Sequence, residues 1–172
     1  MVGVRRTVRD LLHEDVDALQ ELLESVPSYA ERLTGYPPGP SDALSALIAV
    51  PPQFEPVNKR GLGMWDEQEL VGFADVLIGH PQSETAYIGL LTVHGGRHRE
   101  GIGRDLHEAV RVQLRSHVNI ERMRLGLVET VASEAMPFVR AMGYTETGER
   151  NPYRYDHVES TVTMWERFVN RS

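Results

Sequence analysis

The run Val93-His94-Gly95-Gly96-Arg97-His98-Arg99-Glu100-Gly101-Ile102-Gly103-Arg104-Asp105-Leu106 constrains this chain more than any other segment. It is a glycine-rich connection between an apolar strand candidate, Glu84 to Val93, and the clearest helix, whose face is marked by Ile102, Leu106, Ala109, Val110 and Leu114. Glycines let backbone N–H groups come close to a ligand, and a helix start adds unpaired donors and a positive dipole end. Arg97, Arg99 and Arg104 concentrate positive charge here in a chain whose formal net charge is -7. A phosphate is the natural ligand of such a loop. Read from the residues alone, an ordinary tight strand-to-helix connection fits the pattern equally well.

Spacing narrows the choice. Gly96-x4-Gly101 imitates the opening of a nucleotide P-loop, but Ile102-Gly103 stands where Lys-Ser/Thr is required. Gly101-x-Gly103-x-x-Leu106 lacks the third glycine of the dinucleotide fingerprint, and the strands before it read as a meander instead of the opening of a parallel βαβ sheet. The absence of cysteine excludes thiol nucleophiles, thiolate metal sites, iron–sulfur clusters and disulfides. No Gly-x-Ser-x-Gly elbow and no His-Glu-x-x-His occurs, which leaves hydrolase and zinc-protease chemistry without support. His94 and His98 are four apart, but Gly95 and Gly96 between them read as loop, so no metal is expected. The acidic balance argues against nucleic acid as the main partner.

At 172 residues, 41% hydrophobic and 25% charged, the chain has the size and composition of a single domain. Strands are predicted over Val4 to Val8, Gly61 to Trp65, Leu70 to Ile78, Glu84 to Val93, Met123 to Val128, Tyr144 to Thr147 and Thr161 to Trp165. Helices are predicted over Glu14 to Leu23, Asp42 to Val50, the run after Gly101, and Ser133 to Met142, where Pro137 is tolerable only in a first turn. Pro27 to Pro56 holds seven of the ten prolines and reads as a loop-rich segment of the kind that serves binding, and Asn151 to Ser160 also reads as a loop. The order predicts a mixed α/β fold with a largely antiparallel central sheet flanked by helices. No stretch approaches the roughly 18 apolar residues of a membrane span. Arg5, Arg6 and Arg9 leave no apolar signal segment, so a cytoplasmic location is the expectation.

The stretch Tyr87-Ile-Gly-Leu-Leu-Thr-Val-His-Gly-Gly-Arg-His-Arg-Glu-Gly-Ile-Gly-Arg-Asp-Leu106 resembles the acyl-CoA-binding core of the GNAT family, the Gcn5-related N-acetyltransferases. Ala135-Met-Pro-Phe-Val-Arg-Ala-Met-Gly-Tyr144 is similar to the family's second helix and the strand after it. The family's Gln/Arg-x-x-Gly-x-Gly/Ala falls on His98, Arg99, Glu100, Gly101, Ile102 and Gly103, with His98 replacing Gln or Arg. The resemblance implies transfer of an acetyl group from acetyl-CoA, a co-substrate, to an amine by direct attack in a ternary complex, without a metal or a covalent enzyme intermediate. It implies that backbone amides from Arg99 to Arg104 bind the CoA pyrophosphate, and that the backbone of Leu91 and Val93 pairs with the pantetheine arm. An amide near Val93 would then hold the thioester carbonyl as negative charge develops.

The departures matter as much. The Asn expected three residues before Ala135 is Ala132, and the Tyr that many members use to protonate the leaving thiolate falls on Val139. Tyr144, Tyr153 and Tyr155 are the phenols left to replace it. An alkyl ammonium of pKa about 10.4 is neutral only roughly once in 2,000 molecules at pH 7, so the amine needs a base. Tyr87, approximately where some members place a carboxylate, Glu84 and Glu129 are the candidates. Tyr29 and Tyr36 are candidate acceptor contacts, since the segment after the first helix commonly lines that site in the family. The acceptor is expected to be a small-molecule or peptide amine, and the acidic balance favours a cationic one such as a polyamine. The resemblance also allows a homodimer through C-terminal edge strands. The missing acid and base leave a second reading open, a non-catalytic acyl-CoA-binding regulatory module.

Overall fold

The computed structural model describes residues 6–170, so Val4 and Arg5 of the first expected strand lie outside the described residues. The chain runs β1 (Arg6–Asp10), α1 (Val16–Glu24), α2 (Pro27–Thr34), α3 (Asp42–Ile48), β2 (Lys59–Asp66), β3 (Glu69–Ile78), β4 (Thr85–Val93), α4 (Ile102–Arg115), β5 (Arg122–Val128), α5 (Glu129–Ala141), β6 (Thr145–Tyr155) and β7 (Val158–Phe168). The sheet order is β1-β2-β3-β4-β5-β7-β6. Every neighbouring pair is antiparallel except β4 and β5, which the crossover through α4 makes parallel.

Each face of the sheet buries its own apolar set. Ile102, Leu106, Val110 and Leu114 of α4 and Val131 and Val139 of α5 pack on Val71, Ala74, Val76, Ala86, Ile88, Met123 and Leu127. On the opposite face Leu19 and Leu22 of α1 and Ala43 of α3 cover Trp65, Leu70 and Phe73. No helix among the described residues is long and apolar enough to cross a membrane.

Three elements differ from the sequence reading. The segment after Pro27, expected as loop, forms α2, with Pro27 in its first turn and Gly35 as a left-handed cap. None of its residues is fully buried, and only Tyr29 and Leu33, four apart, pack against the core, a face too narrow to mark it by periodicity. Helix α5 begins at Glu129, four residues before the expected start, and Pro137 sits inside it. Pro137 and Ser133 are both exposed, so the carbonyl that proline leaves unpaired faces water. The expected loop Asn151 to Ser160 is strand on both sides of a two-residue turn at Asp156 and His157. Strand β6 is a sheet edge exposed along nearly its whole length, which removes the alternation that marks a strand and tolerates Pro152.

Candidate active site

The parallel pairing of β4 with β5 stops at Ile88 and Leu125, although β4 runs on to Val93 and β5 to Val128. One residue of β4 opens the sheet. Asp75 of β3 opposes Leu90 while Val76 opposes Ile88, so Gly89 is the extra residue of a bulge that bends β4 away from β5. The N–H of His94 donates to the Val71 carbonyl at 2.9 Å. Because alternate residues of an antiparallel strand turn to opposite sides, Leu91 and Val93 direct their backbone groups into the opening.

The glycine-rich loop lies at the wide end of this opening. Gly95 passes so close to the end of α1 that a Cβ on it would fall 1.9 Å from the Ser25 carbonyl oxygen, and its N–H donates to Ser25 Oγ at 3.0 Å. Gly101 caps α4 in the left-handed region, with φ 78°. Asp105 is the first residue of α4 whose N–H reaches a helical carbonyl, that of Gly101 at 3.0 Å. The N–H groups of Ile102, Gly103 and Arg104 therefore have no acceptor among the described residues and lie at a positive dipole end. A groove of about 510 Å³ runs past them, lined also by Leu91, Thr92, Val93, His98 and Arg99.

Of the three loop arginines, Arg97 is already occupied. Its guanidinium bonds Glu100 at 2.8 Å, Asp66 at 2.5 Å and Glu69 at 3.4 Å, and Glu100 first, then Asp66, raise its pKa further. Arg99 and Arg104 have no ion-pair partner among the described residues and border the groove.

Inward, the groove meets a chamber of about 370 Å³ between the splayed strands, and Tyr29, Leu91, Val131, Ala135 and Phe138 line both. The chamber walls are mostly aliphatic, with phenols from α2 (Tyr29), β4 (Tyr87) and β6 (Tyr153). Burial, with Tyr153 and Tyr87 close by, pushes the Tyr29 phenol up to about 12, and its hydroxyl has no hydrogen-bond partner among the described residues. The Tyr87 phenol is also raised by burial, against the opposing pull of Arg124 and of the Gly126 N–H. Tyr153 Oη donates to the Leu33 carbonyl at 2.7 Å and so ties α2 to the β6–β7 hairpin. At the far wall His107 Nε2 and Tyr144 Oη share a hydrogen bond of 2.8 Å, and burial lowers the His107 pKa to about 4.

A family model of the acetyltransferase (GNAT) family matches residues 19–144. The chain belongs to the GNAT acetyltransferase family. Its structure is similar to that of an acetyltransferase from Thermus thermophilus, with 21% identity, a TM-score of 0.77, and coverage of 98% of this chain and 99% of that one. It is similar also to Ard1 from Thermoplasma volcanium, at 22% identity and TM-score 0.72 over 96% of this chain and 99% of that one. The ribosomal-protein-S18-alanine N-acetyltransferase from Escherichia coli matches at 15% identity and TM-score 0.70, over 98% of this chain and 96% of that one. At these identities the likenesses speak for the fold. No curated protein matches the sequence at a significant level.

On this GNAT frame the residues read from the sequence separate into two groups. Leu91, Val93, His98, Arg99, Gly101, Ile102, Gly103 and Arg104 come together along the groove. Glu100 does not line it: its carboxylate pairs with Arg97, and its carbonyl accepts from Arg6 Nη2 at 3.2 Å. Tyr87 and Tyr29 reach the chamber, whereas Glu84 and Glu129 are not brought into it. Glu84 lies at the opposite end of β4 from the loop, bonded by Ser83 Oγ at 3.3 Å. Glu129 is exposed and pairs with Arg150 at 3.4 Å. Tyr36 is half exposed and donates to Asp156 Oδ2 at the hairpin turn, outside both cavities. Val139 is buried on the chamber wall, and among the tyrosines weighed in its place Tyr144 and Tyr153 line the chamber while Tyr155 is exposed. No group of three or more potential metal ligands occurs among the described residues.

Proposed function

We propose that this protein transfers the acetyl group of acetyl-CoA to an amine. The observation that carries the reading is the convergence on one groove of the unpaired N–H groups of Ile102, Gly103 and Arg104 with the free β4 backbone at Leu91 and Val93. A diphosphate fits the helix start, where Arg99 and Arg104 add two unpaired positive charges. An extended amide-bearing arm fits the open strand edge as an added strand would. When bound, the thioester supplies an acetyl group activated towards a neutral amine and a thiol leaving group.

The chain's own residues then have three tasks. The N–H of Val93 or Leu91 stabilises negative charge on a carbonyl oxygen beside the strand. Tyr29, at the junction of groove and chamber, keeps its proton at neutral pH and offers a free hydroxyl as a hydrogen-bond donor there. The aliphatic chamber lowers the pKa of an amine within it, because burial disfavours the charged form. That desolvation does part of the work that a carboxylate base would otherwise do.

Titration calorimetry with acetyl-CoA, followed by assay of free CoA thiol with an amine present, tests the reading. Micromolar binding and amine-dependent thiol release are expected. No binding near millimolar ligand would overturn it. The absence of a carboxylate from the chamber lining favours a second reading, a non-catalytic acyl-CoA-binding module, which binding without thiol release for any amine would support.

A further inference from the structure

The chamber between β4 and β5 carries information about the acceptor, on the basis of the acetyltransferase reading above. It opens into the groove at Tyr29, Leu91 and Ala135, so a molecule seated in it lies next to the end of whatever occupies the groove. Leu33, Leu125, Leu127 and Val162 are among the aliphatic residues of its remaining wall. Its polar groups are phenols and the imidazole of His107, which is neutral near pH 7; no carboxylate, ammonium or guanidinium among the described residues lines it. Four carboxylates outside it are already paired. Glu134 bonds Arg32 at 2.5 Å, Glu129 pairs with Arg150, and Glu149 and Glu166 both hold Arg124.

A polyamine fits this arrangement poorly. Its second ammonium would be stripped of water with no anion to meet it, and an unpaired buried charge is strongly disfavoured. The reacting nitrogen faces a related limit, because no carboxylate is in place to take its proton. An α-amine, of pKa near 7.7–8.0, is neutral in roughly one molecule in seven at pH 7, against on the order of one in 2,000 for a lysine-like amine.

We infer that the acceptor is a weakly basic amine, already substantially neutral near pH 7, carried on an uncharged aromatic or branched aliphatic body that fills this chamber. In the transfer the amine nitrogen bonds to the thioester carbonyl carbon and the C–S bond breaks. The proton lost by nitrogen ends on the departing thiolate, giving an amide and free thiol.

The test compares three acceptors with the full chain and acetyl-CoA at pH 7, reading released thiol: phenylalanine amide, phenethylamine and spermidine. The first two share a ring and differ in amine basicity, while the third is a flexible polycation. Phenylalanine amide should exceed phenethylamine at least tenfold in kcat/KM, with the gap narrowing towards pH 9, and spermidine should be slowest. Val162→Trp on β7 and Leu33→Trp on α2 each narrow the chamber, and neither residue lines the groove. Either should cut turnover of phenylalanine amide more than tenfold while the calorimetric Kd for acetyl-CoA stays within about twofold. Spermidine turned over as fast as phenylalanine amide would overturn the inference, as would full turnover in both Trp variants, or tight acetyl-CoA binding with no turnover of either aromatic amine. Failure of acetyl-CoA to bind the unmodified chain is a different result: it removes the acetyltransferase reading itself and the acceptor inference with it.

Discussion

A Cβ on Gly89 would lie 2.9 Å from Asp75 Oδ2, and Asp75 in turn accepts a hydrogen bond from Lys59 Nζ at 2.6 Å. The bulge that opens the sheet therefore rests on an ion pair whose side chains are only 6% and 16% exposed. Burial holds the Asp75 carboxyl above its ordinary range even with Lys59 beside it, so desolvation outweighs pairing for this group. Asp75→Asn leaves the Lys59 ammonium buried without an anion, and a loss of about 3–5 kcal/mol is expected by urea denaturation. The double variant Lys59→Met with Asp75→Leu should recover most of that loss, since apolar replacement of a buried pair is often neutral or stabilising. A double variant as unstable as the single one would mean that the charges themselves shape the bulge.

Gly103 is the glycine of the groove with least room. A Cβ there would sit 3.2 Å from the Phe138 ring and 3.6 Å from Val93 Cγ2. Gly103→Asp adds a negative charge among donors that each contribute about 1.5–3 kcal/mol to a charged ligand. Acetyl-CoA affinity is expected to fall at least a hundredfold with an unchanged circular dichroism spectrum, and Gly103→Ala to lie between. Unaltered binding in the folded Asp variant would place the diphosphate elsewhere.

The start of α1 depends on acid-sensitive contacts. Asp15 is bonded by both Arg9 nitrogens, at 2.8 and 2.9 Å, and by the Leu12 N–H at 2.8 Å. The Arg9 bonds chiefly, with help from Leu12, hold its carboxyl below the ordinary value. A carboxyl lowered on folding contributes stability above its unfolded pKa and loses it as pH falls through the folded one. Arg9 is half exposed, so solvent screening limits the pair. Asp15→Asn should cost about 1 kcal/mol at pH 7 by chemical denaturation, a difference that disappears in strong acid.

How far the sequence exposed this site depended on whether a residue's neighbours are local. The Gly101 cap and the α4 face follow from periodicity and a single glycine, and both lie where the pattern predicts. Arg97 is neutralised by Glu100, three residues on, and also by Asp66 and Glu69 from the β2–β3 turn, which spacing along the chain does not reveal. Tyr29 is placed by α2, a short helix signalled by Pro27 and Gly35, whose inward residues Tyr29 and Leu33 are only partly buried. Tyr153 reaches the chamber from an edge strand whose exposure left no alternation to read. The chamber itself depends on Gly89, whose role appears only when β3 and β4 are set side by side.

His107 gives the most direct pH test of the chamber. It is 3% exposed on α4, bonded to Tyr144, and burial, reinforced by Arg167, lowers its pKa from 6.5 to about 4. The unfolded chain thus binds a proton at this position between pH 6.5 and 4 that the folded chain refuses. Its contribution is present in full above pH 6.5 and is lost as pH falls towards 4, amounting to about 3 kcal/mol over that window. Thermal unfolding followed from pH 7.5 to 4 should show this loss in the native chain. His107→Gln retains a hydrogen-bonding side chain that does not titrate, so its profile should be flatter across the same window, even if its stability at pH 7.5 is lower. Parallel profiles for the two proteins would mean that the imidazole is hydrated and protonates freely, and that the far wall of the chamber is wet.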